Sequence, residues 1–325
     1  MTPMRAILVF DPPSQVGRFF TPELLAELRR HVELDPTLVL TRYEGPALAR
    51  AEMLITGWGA PPLDARALEN APRLRYVVHT AGTVKGLAGP AVFARGIQVS
   101  SQAAANAVPV AEYTLAMILL ANKQVWQLSR AYTESRRPPG LEAIWSAGGN
   151  AGRTVGVIGA SAVGRRVLEL LRPFDLRALL YDPTLADAEG LDAELVGLPE
   201  LMARSDVVTI HAPALPETRH LVGAAELALM RPGATLINTA RPSLVDQDAL
   251  VKAVARGRIH AVLDVIEPDD ALFDLPGVLL TPHVAGSVGT ELHRLAAGAV
   301  AEVAAVAAGR PLRHAVDPAT LHLRA

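Results

Sequence analysis

The chain contains no cysteine. That excludes disulfides, thiolate nucleophiles and cysteine-held metals or iron–sulfur clusters. Aromatic residues are scarce, at 4%, and charge almost cancels: 31 Lys and Arg against 33 Asp and Glu leave a net −2. A balance this close to zero excludes a strongly basic nucleic-acid binder and an acidic disordered tail. The longest apolar run, residues 114–121, is far shorter than the ~20 residues a membrane span needs. No basic, apolar, small-residue signal opens the sequence, because Met1 to Arg5 leads straight into a strand-like run. The expectation is a cytoplasmic protein with neither membrane nor nucleic acid as partner.

What is present is an alternating pattern. The 325 residues, at roughly 150 per domain, suggest two domains. Short apolar runs at 6–10, 38–40, 53–55 and 76–78 read as buried strands. Between them lie helical stretches, one opening at Thr21-Pro22-Glu23 with a hydroxyl cap, a first-turn proline and an acid near the positive dipole end. Residues 108–132 read as one long helix, so apolar that it must be covered, and 134–152 as a loop. A second alternating block follows, with strands at 154–158, 176–181, 207–210, 234–237, 261–265 and 278–280. A helix at 290–308 closes on Gly309 and Pro311. Strand–helix alternation of this kind predicts parallel sheets covered on both faces.

Residues 154–164, Thr-Val-Gly-Val-Ile-Gly-Ala-Ser-Ala-Val-Gly, read as strand, tight turn and helix. Gly159 permits the turn, Gly164 permits close helix–strand packing, and the helix N-terminus offers N–H groups to a pyrophosphate. The dinucleotide fingerprint has glycine where this chain has Ser161, the smallest hydroxyl residue, which can donate to phosphate itself. Asp182 lies 23 residues past Gly159, after the next strand. A carboxylate there accepts from ribose hydroxyls and repels a 2′-phosphate, which favours NAD over NADP.

Three further segments share an order and spacing with one known family. They are His211-Ala212-Pro213 with Pro216-Glu217-Thr218-Arg219; Leu229-Met230-Arg231-Pro232-Gly233-Ala234 running into Ile237-Asn238-Thr239-Ala240-Arg241; and Leu263-Asp264-Val265 followed by Thr281-Pro282-His283-Val284-Ala285-Gly286. With the glycine turn, they make the chain resemble the D-2-hydroxyacid dehydrogenases of the phosphoglycerate dehydrogenase type, over about residues 75–310. The resemblance implies an α/β protein of two doubly wound parallel-sheet domains. A Rossmann NAD-binding domain, 104–287, is inserted into a flavodoxin-like substrate domain, 1–103 and 288–325.

The resemblance also implies roles. Arg241 is the catalytic arginine, and its planar guanidinium suits a carboxylate beside a carbonyl. Where the family has glycine next, this chain has Pro242. His283 is the acid/base, a role for a group that titrates near neutral pH. The family's histidine-orienting acid falls at Asp269, with Glu267 and Asp270 as neighbouring alternatives. Asp264 corresponds to a residue near the nicotinamide carboxamide. Gly159, Ser161, Ala162, Val163, Gly164, Asp182, His211, Thr239 and Gly286 complete the cofactor set. Ala81 and Gly82 correspond to the loop whose N–H groups bind the substrate carboxylate, but the aspartate that usually follows is absent and Lys85 lies nearby. No metal is expected. The implied partners are a small 2-hydroxy or 2-oxo acid and a second copy of the chain, bound through the helix at 108–132. Some relatives instead act as NAD(H)-responsive corepressor scaffolds, and Ser161, Pro242 and Asp269 keep that reading open. A methyltransferase with a similar turn is disfavoured, because it gives Arg241 and His283 no work.

Overall fold

A computed structural model of the chain describes residues 3–146, 148–188, 190–268 and 271–321. The chain divides into two compact units, passing from the first to the second after Asn106 and returning at Ser287.

The first unit carries five strands: β1 (Ala6–Val9), β2 (Val39–Leu40), β3 (Met53–Thr56), β4 (Tyr76–His79) and β5 (Gln98–Ser101). All pair in parallel, in the order β2-β1-β3-β4-β5. That is the flavodoxin-like doubly wound order. Successive residues of a strand point to opposite faces, so β1 feeds two cores at once. Leu8 and Phe10 join Leu28, Ile55 and Leu295 on one face, while Ile7 and Val9 join Leu54, Val77 and Val99 on the other. The helix Pro22–His31 starts as its sequence predicts: the Thr21 hydroxyl caps Leu24 N–H, Pro22 takes the first turn and Arg29, Arg30 and His31 take the last. The helix Leu292–Ala307 buries Leu295, Ala296, Ala299 and Val303 at helical spacing. Its buried Glu302 is satisfied by the N–H groups of Arg313 and His314, which turns the following segment back along the helix.

The second unit carries seven: β6 (Arg153–Ile158), β7 (Leu176–Tyr181), β8 (Glu194–Leu195), β9 (Val207–Ile210), β10 (Thr235–Asn238), β11 (His260–Leu263) and β12 (Val278–Leu280). They too are parallel, in the order β12-β11-β10-β9-β6-β7-β8. The order reverses between β6 and β9. In open parallel sheets, ligands bind beyond the carboxyl ends of the strands at such a reversal.

The structure departs from the sequence reading in three places. The long helix expected over 108–132 is two helices, Ala103–Asn122 and Val125–Ser135, separated where Gln124 takes a left-handed conformation at φ 50°. The stretch 134–152 is not all loop, since it holds the helix Leu141–Ser146. Strands β5 and β8 have no counterpart in the sequence reading. The helix Ala103–Asn122 is long and apolar enough to cross a membrane by length and composition alone. Its Ala111, Ile118 and Ala121 pack onto Val155, Val157 and Val167 of the second unit's core, whereas Leu120 stays exposed.

Candidate active site

The seven-stranded sheet brings the singled-out residues to one edge. Because its strands are parallel, their carboxyl ends lie together. Across neighbouring strands these ends lead to His283 after β12, Asp264 after β11, Arg241 after β10, His211 after β9, Gly159 after β6 and Asp182 after β7. With strands spaced about 4.8 Å apart, β10 and β12 are roughly 10 Å apart, within the joint reach of an arginine and a histidine side chain.

Gly159 makes the turn at φ 96°, and a Cβ there would lie 2.7 Å from the Ala212 nitrogen. Gly164 is needed for contact, since its Cβ would strike the Gly159 carbonyl oxygen. Ser161 stands at φ −63°, which asks for no glycine. It is the N-cap of the helix Ala162–Leu171, and its Oγ accepts from Gly164 N–H at 3.3 Å. Its own O–H remains available to a ligand. Among the described residues the N–H groups of Ser161, Ala162 and Val163 have no partner. They form an anion cradle at the positive end of a helix dipole.

Asp182 closes the other side of this turn. One carboxylate oxygen accepts from Ala160 N–H at 2.7 Å, and the other accepts from the N–H and hydroxyl of Thr184. Burial raises its pKa. The Thr184 hydroxyl, the Ala160 and Thr184 N–H groups and the Arg165 charge outweigh burial and hold it below the usual carboxylate range. His211 lies beneath the turn, 4% exposed, with Nε2 against the Thr209 hydroxyl at 3.0 Å. Burial pushes it down to about 3, so it is a neutral packing group at ordinary pH.

Arg241 is set by Asn238, which sequence reasoning passed over as part of a longer motif. The fully buried Asn238 side chain accepts from Ala240 N–H at 3.0 Å and donates to the Arg241 carbonyl at 2.8 Å. Pro242 enters without strain, as first residue of a short 3-10 turn at which Arg241 is the extended cap. Thr239 is buried, its hydroxyl 3.5 Å from that of Thr114.

His283 lies exposed on the loop after β12 at φ 56°. A non-glycine residue there carries strain of about 1–2 kcal/mol, and Asp264 supplies the restraint. Its carboxylate, 1% exposed, accepts from the Thr281 hydroxyl (2.6 Å), Val284 N–H (2.8 Å) and Ala285 N–H (2.9 Å). Its backbone carbonyl accepts from His283 N–H at 3.0 Å. Thr281 spends its proton on Asp264, so the Tyr113 hydroxyl, 2.8 Å away, donates to Thr281. Burial holds that phenol above its usual range, reinforced by the Asp264 charge and opposed by the Thr281 hydrogen bond. Neither Tyr113 nor Thr281 stood out in the sequence as a functional residue. Gly286 follows, half-buried, and Glu267 is exposed. Asp269 and Asp270 lie outside the described residues.

In the first unit, β4 runs into Thr80-Ala81-Gly82-Thr83. Thr80 N–H and its hydroxyl both donate to the Thr56 carbonyl (2.8 and 2.9 Å), and Ala81 accepts from Gln102 N–H at 2.9 Å. The N–H groups of Ala81, Gly82 and Thr83 have no partner among the described residues. No group of three or more residues able to hold a metal ion occurs among the described residues.

Residues 115–285 match the model of the NAD binding domain of D-isomer specific 2-hydroxyacid dehydrogenases. The chain belongs to that family. Among curated members, D-3-phosphoglycerate dehydrogenase of Mycobacterium tuberculosis is 32% identical over 83% of this chain, though only 52% of the relative is covered. The chain thus spans about half the length of the curated relatives it matches first. Glyoxylate/hydroxypyruvate reductase B of Pectobacterium carotovorum is 30% identical over 92% of this chain and 96% of the reductase. The solved phosphoglycerate oxidoreductase of Rhizobium etli covers 98% of this chain and 99% of its own, with a TM-score of 0.82 and 25% identity. As in this family, the second unit is a Rossmann domain, and its turn fits NAD. The unpaired N–H groups of Ser161, Ala162 and Val163 suit the pyrophosphate, and the half-exposed Asp182 carboxylate suits ribose hydroxyls.

Proposed function

We infer that this protein interconverts a D-2-hydroxy acid and its 2-oxo acid with NAD. The observation that carries the reading is that three adjacent parallel strands, β10, β11 and β12, deliver Arg241, Asp264 and His283 to the edge where the Gly159 turn also lies. When bound, NAD supplies or takes the hydride at the substrate's C2. Arg241 lays its guanidinium against the substrate carboxylate and carbonyl oxygen, orienting the one and polarising the other. As the carbonyl carbon gains hydride, its oxygen gains a proton from His283; oxidation returns that proton to the ring. Asp269, or its neighbours Glu267 and Asp270, orients that imidazole. Asp264, through its grip on the loop 281–285, keeps His283 in its strained place. The Ala81 and Gly82 N–H groups take the substrate carboxylate.

Asp182 selects NAD by accepting from ribose hydroxyls where a 2′-phosphate would meet its charge. Two copies of the chain associate through the helices Ala103–Asn122 and Val125–Ser135. Leu120, Val125 and Tyr132 on these helices, and Leu141, Ile144 and Trp145 on the helix that follows, are exposed apolar side chains, the kind of surface that marks an association site. A cytoplasmic location accords with this chemistry.

NADH oxidation across a panel of 2-oxo acids tests the reading, with Arg241→Ala beside the wild type. Turnover on at least one acid is expected, falling about 10³-fold or more in the variant while NADH affinity holds. Tight NADH binding with no turnover on any acid would replace it with the NAD(H)-sensing role.

A further inference from the structure

Among the described residues of the first unit, Trp58 is the one exposed aromatic side chain, 41% open, and the mechanism above gives it no work. It stands on the turn Gly57-Trp58-Gly59-Ala60 that follows β3, closed by the Ala60 N–H donating to the Gly57 carbonyl at 3.2 Å. Gly59 takes φ 79°, which a turn of this kind needs at its third residue.

Both glycines are forced by contact. A Cβ on Gly57 would strike the ring of Phe10, which is fully buried and set edge-on to Phe19 and Phe20, with centroids 5.7 and 6.3 Å away. A Cβ on Gly59 would strike the Asp11 carbonyl oxygen. The turn is thus pressed at two points onto the chain leaving β1, and Trp58 sits between them. Its ring meets the buried Phe19 edge-on, with centroids 5.3 Å apart. A fixed indole with two-fifths of its surface open is a ready apolar wall, with little freedom left to lose when a ligand covers it.

The wall stands beside the loop read as the carboxylate site. Strands β3 and β4 are parallel neighbours in which Thr56 pairs with His79. Trp58 and Ala81 therefore each lie two residues past a matched pair, on strand ends about 4.8 Å apart. The Thr80 N–H, donating to the Thr56 carbonyl at 2.8 Å, carries the pairing one residue further. In a 2-oxo acid the side chain begins at C3, two bonds from the carboxylate carbon. With that carboxylate on the Ala81 and Gly82 N–H groups, the side chain comes within reach of an indole on the next strand end.

Charge around the turn disfavours polar side chains. Residues 57–60 carry no charged group, and Asp11 is the one charge in 10–12, the segment leaving β1 on the other side of β3. A terminal phosphate or second carboxylate would find an indole where it needs a cation, with a carboxylate nearby.

We propose that Trp58 is a specificity-determining residue, the wall that receives the substrate side chain, and that the preferred 2-oxo acids carry a branched apolar or aromatic group at C3. The proposal rests on the reading of the Ala81–Gly82 loop given under Proposed function, and narrows its substrate class.

NADH oxidation is followed with pyruvate, 4-methyl-2-oxopentanoate, phenylpyruvate, 2-oxoglutarate and 3-phosphohydroxypyruvate, on the wild type and on Trp58→Phe, Trp58→Ala and Trp58→Lys. The wild type is expected to show a kcat/KM at least tenfold higher for phenylpyruvate or 4-methyl-2-oxopentanoate than for the other three. Trp58→Ala should lower the ratio of phenylpyruvate to pyruvate at least tenfold, and Trp58→Phe should keep most of it. Trp58→Lys should raise 2-oxoglutarate relative to phenylpyruvate by tenfold or more. A Trp58 that only supports the fold would change kcat/KM by one common factor for every acid, and unchanged ratios in the variants overturn the proposal. So does a wild type that prefers pyruvate, 2-oxoglutarate or 3-phosphohydroxypyruvate. If Trp58→Ala does not fold, the wild-type ranking and the ratios in Trp58→Phe and Trp58→Lys decide. No turnover with any acid overturns the reading under Proposed function instead, and that is seen before any variant is made.

Discussion

His283 is suspended from Asp264. The histidine's own N–H reaches the Asp264 carbonyl at 3.0 Å, and the Asp264 carboxylate takes the N–H groups of the next two residues. The acid/base candidate is thus held in a left-handed conformation by hydrogen bonds from its own loop to the buried, charged Asp264, which follows the neighbouring strand β11.

Replacing that charge should loosen the loop. Asn at 264 has one accepting oxygen where three donors now converge, so its amide N–H₂ must face an N–H or a hydroxyl. A buried mismatch of this kind costs about 1–3 kcal/mol. Asp264→Asn is expected to lower the melting temperature by several degrees and kcat at least tenfold. A melting curve and kcat both matching wild type would show that the clamp does not hold the histidine.

Asp182 offers a test of cofactor choice. Two like charges about 4 Å apart near a protein surface repel by about 4 kcal/mol, so a 2′-phosphate is strongly disfavoured while Asp182 is ionised. Asp182→Ala should weaken NAD and strengthen NADP, reducing the ratio of their affinities by tenfold or more. Fluorescence titration with both reduced cofactors measures it. An unchanged ratio would place the discrimination elsewhere.

The strands legible in the sequence were those buried on both faces. In β1, β3, β9 and β10 every position is buried, and the sequence shows each as a short, mostly apolar run, interrupted only by Thr56, Thr209, Thr235 and Asn238. Strand β5, Gln-Val-Ser-Ser, opens on an exposed glutamine and carries two hydroxyls, and β8 has only two residues. Neither carries the signal. The break after Asn122 was invisible because Lys123 and Gln124 are ordinary helix formers; only the left-handed Gln124 reveals it. At the site, the strand–turn–helix spacing marks Gly159 and Asp182, and the resemblance to the family's motifs marks Arg241 and His283. Tyr113 meets Thr281 across 168 positions, and Thr56 meets His79 across 23. Such pairs exist only once the chain has folded, so no local pattern announces them.

Gly82 separates fold from binding. A Cβ there would meet nothing nearer than Asn106 Nδ2 at 3.6 Å, an ordinary contact, and no positive φ requires glycine. Gly82→Ala should therefore melt within about 2 °C of wild type. A substrate carboxylate approaching the adjacent N–H groups would meet the new methyl, so KM should rise about tenfold or more with NADH affinity unchanged. An unaltered KM would remove this loop from the substrate site.

Acid should destabilise the protein through its buried histidines. His79 and His211 are pushed by burial from the ordinary 6.5 to about 4 and about 3. Above pH 6.5 both are neutral in the folded and the unfolded chain, and the stability they contribute is complete. As pH falls below 6.5 the unfolded chain takes up a proton at each, while the folded chain does not. Stability therefore drops with pH, by up to about 1.4 kcal/mol per pH unit for each histidine. The fall continues until pH reaches their folded-state values. Asp182, held low when folded, loses its contribution only further down, as pH falls through the carboxylate range. Urea denaturation at pH 7.5, 6.0 and 5.0 should show this decline, and His211→Asn should flatten it by about one proton's worth. If the variant shows the same slope as wild type across that range, His211 is not the buried neutral group described.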